Sequence, residues 1–204
     1  MSKQRLAGIL EAHERQSLAL HLFDQTLARL GRYFPELSIL VVTESPRIKS
    51  IALQYGVEVL TEPSESNLNA AVDLAAQWCC QNEFESQLVL PADIADLCPI
   101  ELATLLHSQR LSPSVLICPA SDGGTNALLT SPPDVIAFSF GSNSSRQHVQ
   151  NAQQHLIPCM TLSMDKLSFD VDTPKDLQRW NQTCSDEWNR SIYNNQTGHQ
   201  QLGD

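Results

Sequence analysis

The chain has 204 residues, 42% of them hydrophobic and 18% charged, and a formal net charge of -10. This balance suits one soluble globular domain with a full core, expected in the cytoplasm. No apolar run approaches the roughly 18 residues of a membrane span, and no apolar signal segment follows Met-Ser-Lys-Gln-Arg. The acidic balance argues against a nucleic-acid partner, which needs a basic face, but a few local cations still suffice for a nucleotide substrate.

Leu18, Leu22, Leu27 and Leu30 recur at helical spacing, so residues 10–34 read as a long amphipathic helix. Ser38 to Thr43 is a β-branched run and reads as a buried strand. Pro46 to Tyr55 is a short helix closed by Gly56, and Val57 to Leu60 a second strand. Asn67 to Gln81 is an alanine-rich helix, and Gln87 to Leu90 a third strand. Pro99 to Gln109 is a helix with proline in its first turn, and Ser114 to Cys118 a fourth strand. Such alternation predicts βαβ units and a mainly parallel sheet.

After residue 120 the pattern changes. A Gly-rich loop, Ser121 to Thr125, leads into Asn126 to Leu129, and a Pro-Pro turn leads into Ala137 to Phe140. This pair reads as a small strand-rich insertion. Ser144 to Leu156 is a helix, and Ile157 to Leu162 and Ser168 to Asp172 are the last strands. Thr173 is placed to cap a final helix, with Pro174 at its first position and Asp176 in its first turn. Residues 1–182 are expected to form the folded domain. Residues 183–204, rich in Asn, Gln, Gly and His, are expected to be a disordered polar tail in which His199 is incidental. The six cysteines, Cys79, Cys80, Cys98, Cys118, Cys159 and Cys184, contain no Cys-x-x-Cys pair and read as free buried thiols.

Two carboxylates, Asp170 and Asp172, close an apolar run two residues apart. In a strand they share one face, and their repulsion is the kind a divalent cation offsets. A third acid, Asp93, ends the run Leu-Val-Leu-Pro-Ala-Asp. Asp172 could instead merely precede the last helix, and Asp93 could be an ordinary acid at a strand end.

Several segments, taken together and in order, resemble the 2-phospho-L-lactate guanylyltransferase family (CofC/FbiD type) of coenzyme F-420 biosynthesis. Lys3-Gln4-Arg5-Leu6 is similar to the family's Lys-Ser-Arg-Leu, and Glu14-Arg15 and Asp24 behind it also fit. Asn67-Leu68-Asn69-Ala70-Ala71 resembles Gly-Leu-Asn-x-Ala, and Leu90-Pro91-Ala92-Asp93-Ile94 resembles Leu-Pro-Ala-Asp-Leu. Gly124-Thr125-Asn126-Ala127-Leu128 resembles Gly-Thr-Asn-Ala-Leu, and Phe140-Gly141-Ser142-Asn143-Ser144 with His148 resembles Phe-Gly-Pro-Gly-Ser-x-x-x-His. Phe169-Asp170-Val171-Asp172-Thr173-Pro174 matches the most diagnostic stretch. Three departures stand out. The family's first strand and Pro-x-Lys-rich loop are missing ahead of Lys3, Asn67 replaces a glycine, and Ser142-Asn143 replaces Pro-Gly.

The resemblance implies an α/β nucleotidyltransferase fold of the Rossmann-like, GT-A-like type. It implies transfer of GMP from GTP to 2-phospho-L-lactate, phosphoenolpyruvate or 3-phosphoglycerate, with release of pyrophosphate. It implies Asp93, Asp170 and Asp172 as catalytic carboxylates holding Mg²⁺, and Thr125, Gly141 and Ser144 as the phospho-acid site. Lys3, Arg5 and Asn69 are the nucleotide-binding candidates. Ser144 could equally be an N-cap and Gly141 a turn glycine. Lys3 and Arg5 could belong to a frayed terminus, and Asn69 could simply face a helix start. His148 reads slightly better as a satisfied surface histidine than as a ligand. Asp96 matches no acid of the family and is not counted in the site. A homodimer is compatible with the sequence, which carries no direct sign of one. Two other readings stay open: a truncated or degenerate relative that binds a phospho-acid or partner without turnover, and another cofactor or sugar nucleotidyltransferase.

Overall fold

The computed structural model describes residues 3–62, 67–109 and 111–183. Contacts divide the chain into one unit of Leu18–Asp170 and another made from its two ends, up to Ser17 and from Val171 onward. The tail expected from residue 183 lies outside the described residues apart from Thr183, and so do His199 and Cys184. Among the described residues, none before Leu40 lies in a strand.

In the larger unit, β1 (Leu40–Val42) and β2 (Glu58–Leu60) pair in parallel, Leu40 opposite Glu58 and Val42 opposite Leu60. The intervening helix α2 (Pro46–Gln54) starts at Ser45, whose side chain accepts from the Ile48 N–H, with Pro46 in the first turn. Ile39, Val41, Val57 and Val59 pack with Ile48, Ile51 and Ala52 of that helix and with Phe23 and Leu27 of α1 (Ala12–Tyr33).

A second sheet holds β3 (Gln87–Val89), β4 (Ser114–Pro119), β5 (Thr125–Ser131) and β6 (Cys159–Thr161) in the order β3-β5-β4-β6. β4 and β6 are parallel, while β5 runs antiparallel to both β3 and β4. The stretch expected as an insertion therefore supplies a strand in the middle of the sheet. All seven residues of β5 are buried, which is how a strand covered on both faces reads.

Alternation along β4 and β5 sets the layers. Leu116, Cys118, Ala127 and Leu129 pack with Leu30 and Phe34, and with Leu102 and Leu105 of α4 (Pro99–Ser108). Val115, Ile117 and Leu128 pack on the opposite face with Val72 and Ala76 of α3 (Leu68–Gln81) and Ala152 of α5 (Ser144–Gln154). Each fully buried leucine here contributes roughly 2 kcal/mol.

Two expected strands are not strands, because their backbone groups are taken elsewhere. In 137–140, Ala137 O accepts from Asn151, the Ser139 N–H goes to His148, and Phe140 N–H and C=O both go to Asn69. In 168–172, the Ser168 and Phe169 amides turn back to Met164 and Lys166, continuing a turn whose Lys166 and Leu167 amides donate to Glu101. Only Asp170 pairs, through an isolated antiparallel bridge to Ile94. Among the described cysteines the expectation of burial holds for Cys118: Cys79, Cys98 and Cys159 are half-buried and Cys80 is exposed, all five free.

In the smaller unit, a 3-10 turn (Gln4–Leu6) follows Lys3. The α6 helix (Pro174–Thr183) is closed at its start by a reciprocal cap. Thr173 N–H and Oγ–H both donate to Asp176 Oδ2, at 2.8 and 2.6 Å, while the Asp176 N–H donates back to Thr173 Oγ.

Candidate functional site

The strand directions gather the candidates of the larger unit. β3, β4 and β6 run the same way, so their C-terminal ends meet the start of β5 at one end of the sheet. Open α/β sheets bind ligands outside that end. Thr125 is the first residue of β5, opposite Pro119 at the end of β4. Asp93 follows β3 in a turn, next to Ile94, and the Ile94–Asp170 bridge ties Asp170 to the same segment. Asp170 Oδ1 is withdrawn from solvent.

The turn before Thr125 is built to hold it. Gly123 adopts φ 86°, which other residues rarely reach, and a Cβ there would meet Asn143 Oδ1 at 3.2 Å. Its carbonyl accepts from both the amide and the hydroxyl of Ser145. The Gly-rich loop is thus fastened to the first turn of α5. Asn143, at φ 55°, precedes that helix and makes no side-chain cap. Ser144 is the first helical residue, and its hydroxyl goes to Thr125 Oγ1 at 2.9 Å, so it is not the N-cap. Gly141 holds φ 137°, and its carbonyl accepts from the Ser144 N–H.

His148 corrects a sequence expectation. It is 0% exposed, not a surface residue. Ser144, His148 and Ala152 form the buried stripe of α5. His148 Nδ1 lies 3.1 Å from Thr125 Oγ1, and Nε2 accepts from the Ser139 N–H at 3.0 Å. Burial pushes its pKa down to about 4, so the ring is neutral near pH 7. The Phe140 and His148 rings meet edge to face, with centroids 4.9 Å apart. Phe140 is in turn held by Asn69, whose Oδ1 accepts from the Phe140 N–H at 2.6 Å and whose Nδ2 donates to the Phe140 carbonyl at 3.3 Å. Asn69 therefore steadies the residue next to Gly141. Thr125, Ser144, Gly141, Asn69 and His148 are brought together.

The sequence reading set Asp96 aside. In the structure it joins Arg29, at 2.6 Å, to Lys166, at 2.8 Å. Burial alone would raise its pKa, but hydrogen bonds from Lys166 and Arg29 outweigh this and hold the carboxyl below the usual range. Glu101 adds contacts to the Lys166 and Leu167 amides at 2.9–3.1 Å. These two acids anchor the turn that leads to Asp170. The signal available in the sequence was Asp96 just before, and Glu101 in the first turn of, a helix whose first position is proline, which is weak.

In the smaller unit, Asp172 meets both candidate cations. Lys3 Nζ lies 3.3 Å from Oδ1 and Arg5 Nη1 lies 4.0 Å from Oδ2. The Lys3 side chain is 1% exposed, so Lys3 is not part of a frayed terminus. Among the described residues no three His, Cys, Asp or Glu side chains form a cluster that could hold a metal ion. Asp93 and Asp170 belong to the larger unit, and Asp172, which already faces cations, to the smaller one. Their hard oxygens still fit Mg²⁺, which commonly takes one or two carboxylates and completes its shell with water and substrate phosphate.

Comparison with known proteins gives the family. The family model described as "Guanylyl transferase CofC like" matches residues 1–193. A 3-phospho-D-glycerate guanylyltransferase of Colwellia psychrerythraea is 47% identical over 178 residues, covering 87% of this chain and 84% of that protein. A phosphoenolpyruvate guanylyltransferase of Roseiflexus sp. is 34% identical over 176 residues, covering 86% and 78%. Among solved structures, a protein from Desulfovibrio desulfuricans G20 assigned as a nucleotide-diphospho-sugar transferase superposes with a TM-score of 0.70 at 17% identity, covering 91% of this chain and 82% of that one. At that identity the likeness shows the fold, which is that of α/β nucleotidyltransferases.

Proposed function

The chain belongs to the CofC-like guanylyl transferase family, and from that premise we propose that it joins GMP from GTP to a three-carbon phospho-acid and releases pyrophosphate. The observation that carries the reading is the hydroxyl pair Thr125–Ser144 at the ligand-binding end of the sheet, backed by a buried neutral histidine. Two hydroxyls beside the first turn of a helix suit an anionic group. The 47% identical relative makes 3-phospho-D-glycerate the first acceptor to try, ahead of phosphoenolpyruvate and 2-phospho-L-lactate. The product would then serve the deazaflavin coenzyme F-420.

In this reading an oxygen of the acid's phosphate attacks the α-phosphorus of GTP. A new phosphoanhydride bond forms, and the bond to the bridging oxygen of the β-phosphate breaks. The attacking oxygen is already anionic at neutral pH, so no general base is needed, and the barrier is repulsion and alignment. Thr125, Ser144 and the Gly141 turn hold and orient the acid. Lys3 and Arg5 offset triphosphate charge. Asp93, Asp170 and Asp172 would hold Mg²⁺, which when bound supplies charge neutralisation at the phosphates.

The test is pyrophosphate release by the purified protein with GTP, Mg²⁺ and each of the three acids in turn, with Asp170→Ala as control. Release with one acid, abolished in the variant and by EDTA and restored by added Mg²⁺, is the expected result. Silence with all three acids would refute the reading.

A further inference from the structure

Proton bookkeeping around His148 gives the hydroxyl pair a direction. A backbone amide can only donate, so the Ser139 N–H fixes Nε2 of His148 as an acceptor. The neutral ring then carries its proton on Nδ1, which faces Thr125 Oγ1 at 3.1 Å. Thr125 must accept from it. Thr125 and Ser144 own two hydroxyl protons between them, and their mutual contact at 2.9 Å uses one. The other proton is left to donate outward, from Ser144 if Thr125 donates within the pair, or from Thr125 if Ser144 does.

The opposite tautomer reverses the outcome. With a lone pair on Nδ1, Thr125 would donate to the ring and Ser144 would donate to Thr125. Both protons would be consumed inside the triad, and the pair would present only lone pairs to a ligand. The Ser139 amide thus decides whether this site can donate a hydrogen bond to an anion. Burial of the ring, at 0% exposure, shields that choice from water.

We propose that His148 is a positioning residue: its Nδ1–H, fixed by the Ser139 amide, keeps one hydroxyl proton of the Thr125–Ser144 pair available to an anionic oxygen of the bound phospho-acid. This rests on the reading above that Thr125 and Ser144 hold the acid.

The experiment has two arms. In the first, protein labelled with ¹⁵N at histidine is observed by long-range ¹H–¹⁵N correlation at neutral pH. His148 is expected as the Nδ1–H tautomer, the minor one in water, with a shift on adding 3-phospho-D-glycerate, GTP and Mg²⁺. An Nε2–H ring would overturn the proposal even if no variant folds. In the second arm, the KM for the acid is measured for the Thr125→Val/Ser144→Ala double variant, which removes both hydroxyl protons, and for His148→Phe, which accepts neither. The double variant is expected to raise it about tenfold, the worth of one hydrogen bond to a charged group, with the KM for GTP unchanged. His148→Phe should raise it far less, because the pair then keeps its outward proton. A rise in His148→Phe as large as in the double variant would overturn this proposal alone. A silent double variant would overturn the acid site itself and this proposal with it.

Discussion

The buried histidine predicts a specific loss of stability in acid. His148 titrates near pH 6.5 in the unfolded chain and near 4 in the folded one, because burial disfavours its charged form. Between those values the unfolded state binds a proton that the native state does not, so stability rises with pH by about 1.4 kcal/mol per unit. The contribution is fully present above the unfolded pKa, is lost as pH falls toward 4, and is level below it. From pH 7 to pH 4.5 this single residue is expected to remove about 2.5 kcal/mol. The structural cause is plain. A protonated ring would turn Nε2 from acceptor to donor against the Ser139 N–H, which has no other way to face it. His148→Gln, which offers an acceptor and does not titrate, isolates the effect. Urea unfolding of both proteins, followed by tryptophan fluorescence at the two pH values, gives the comparison. The drop should be about 2 to 3 kcal/mol smaller in the variant. Equal drops in the two proteins would refute the argument that this ring is buried neutral.

Other outcomes follow from the anchors. Asn69→Ala frees both backbone groups of Phe140 and should raise the KM for the acid severalfold while leaving that for GTP unchanged; the opposite split would point to a direct nucleotide contact. Glu101→Ala withdraws the acceptor from the Lys166 and Leu167 amides and should lower turnover and cost about 1–2 kcal/mol in denaturant. Asp172→Asn removes the anion facing the buried Lys3 ammonium. It should abolish pyrophosphate release and lower stability by about 1–3 kcal/mol, read by thermal melting.

Much of the chain was legible because its punctuation is local. Ser45-Pro46, Cys98-Pro99 and Thr173-Pro174 each open a helix where a cap and a first-turn proline belong, and α2, α4 and α6 begin there. The Asp93, Thr125 and Asp170 candidates were legible as motif residues, and strand direction then gathers them at one end of the sheet. What escaped was set by distant partners. The α5 sequence is mostly polar, so His148 looked solvated; only the four-residue spacing of Ser144, His148 and Ala152 hinted at a buried stripe. Ala137 to Phe140 has strand composition, yet Asn69, His148 and Asn151 take its backbone groups from positions that local pattern cannot connect. Asp96 needed Arg29, 67 residues away, to show its use.

The central, wholly buried β5 also constrains how relatives of this protein can diverge. Shifting it by one residue would turn Ala127 and Leu129 toward the opposite layer and carry Thr125 off its place at the strand end. Length changes inside the strand are therefore closed to drift, and the turn at 121–124 is held as well, because the Gly123 carbonyl is fastened to Ser145 and the Gly124 carbonyl to the Ala120 amide. In such a scaffold this end of the sheet is open to change by side chain rather than by length.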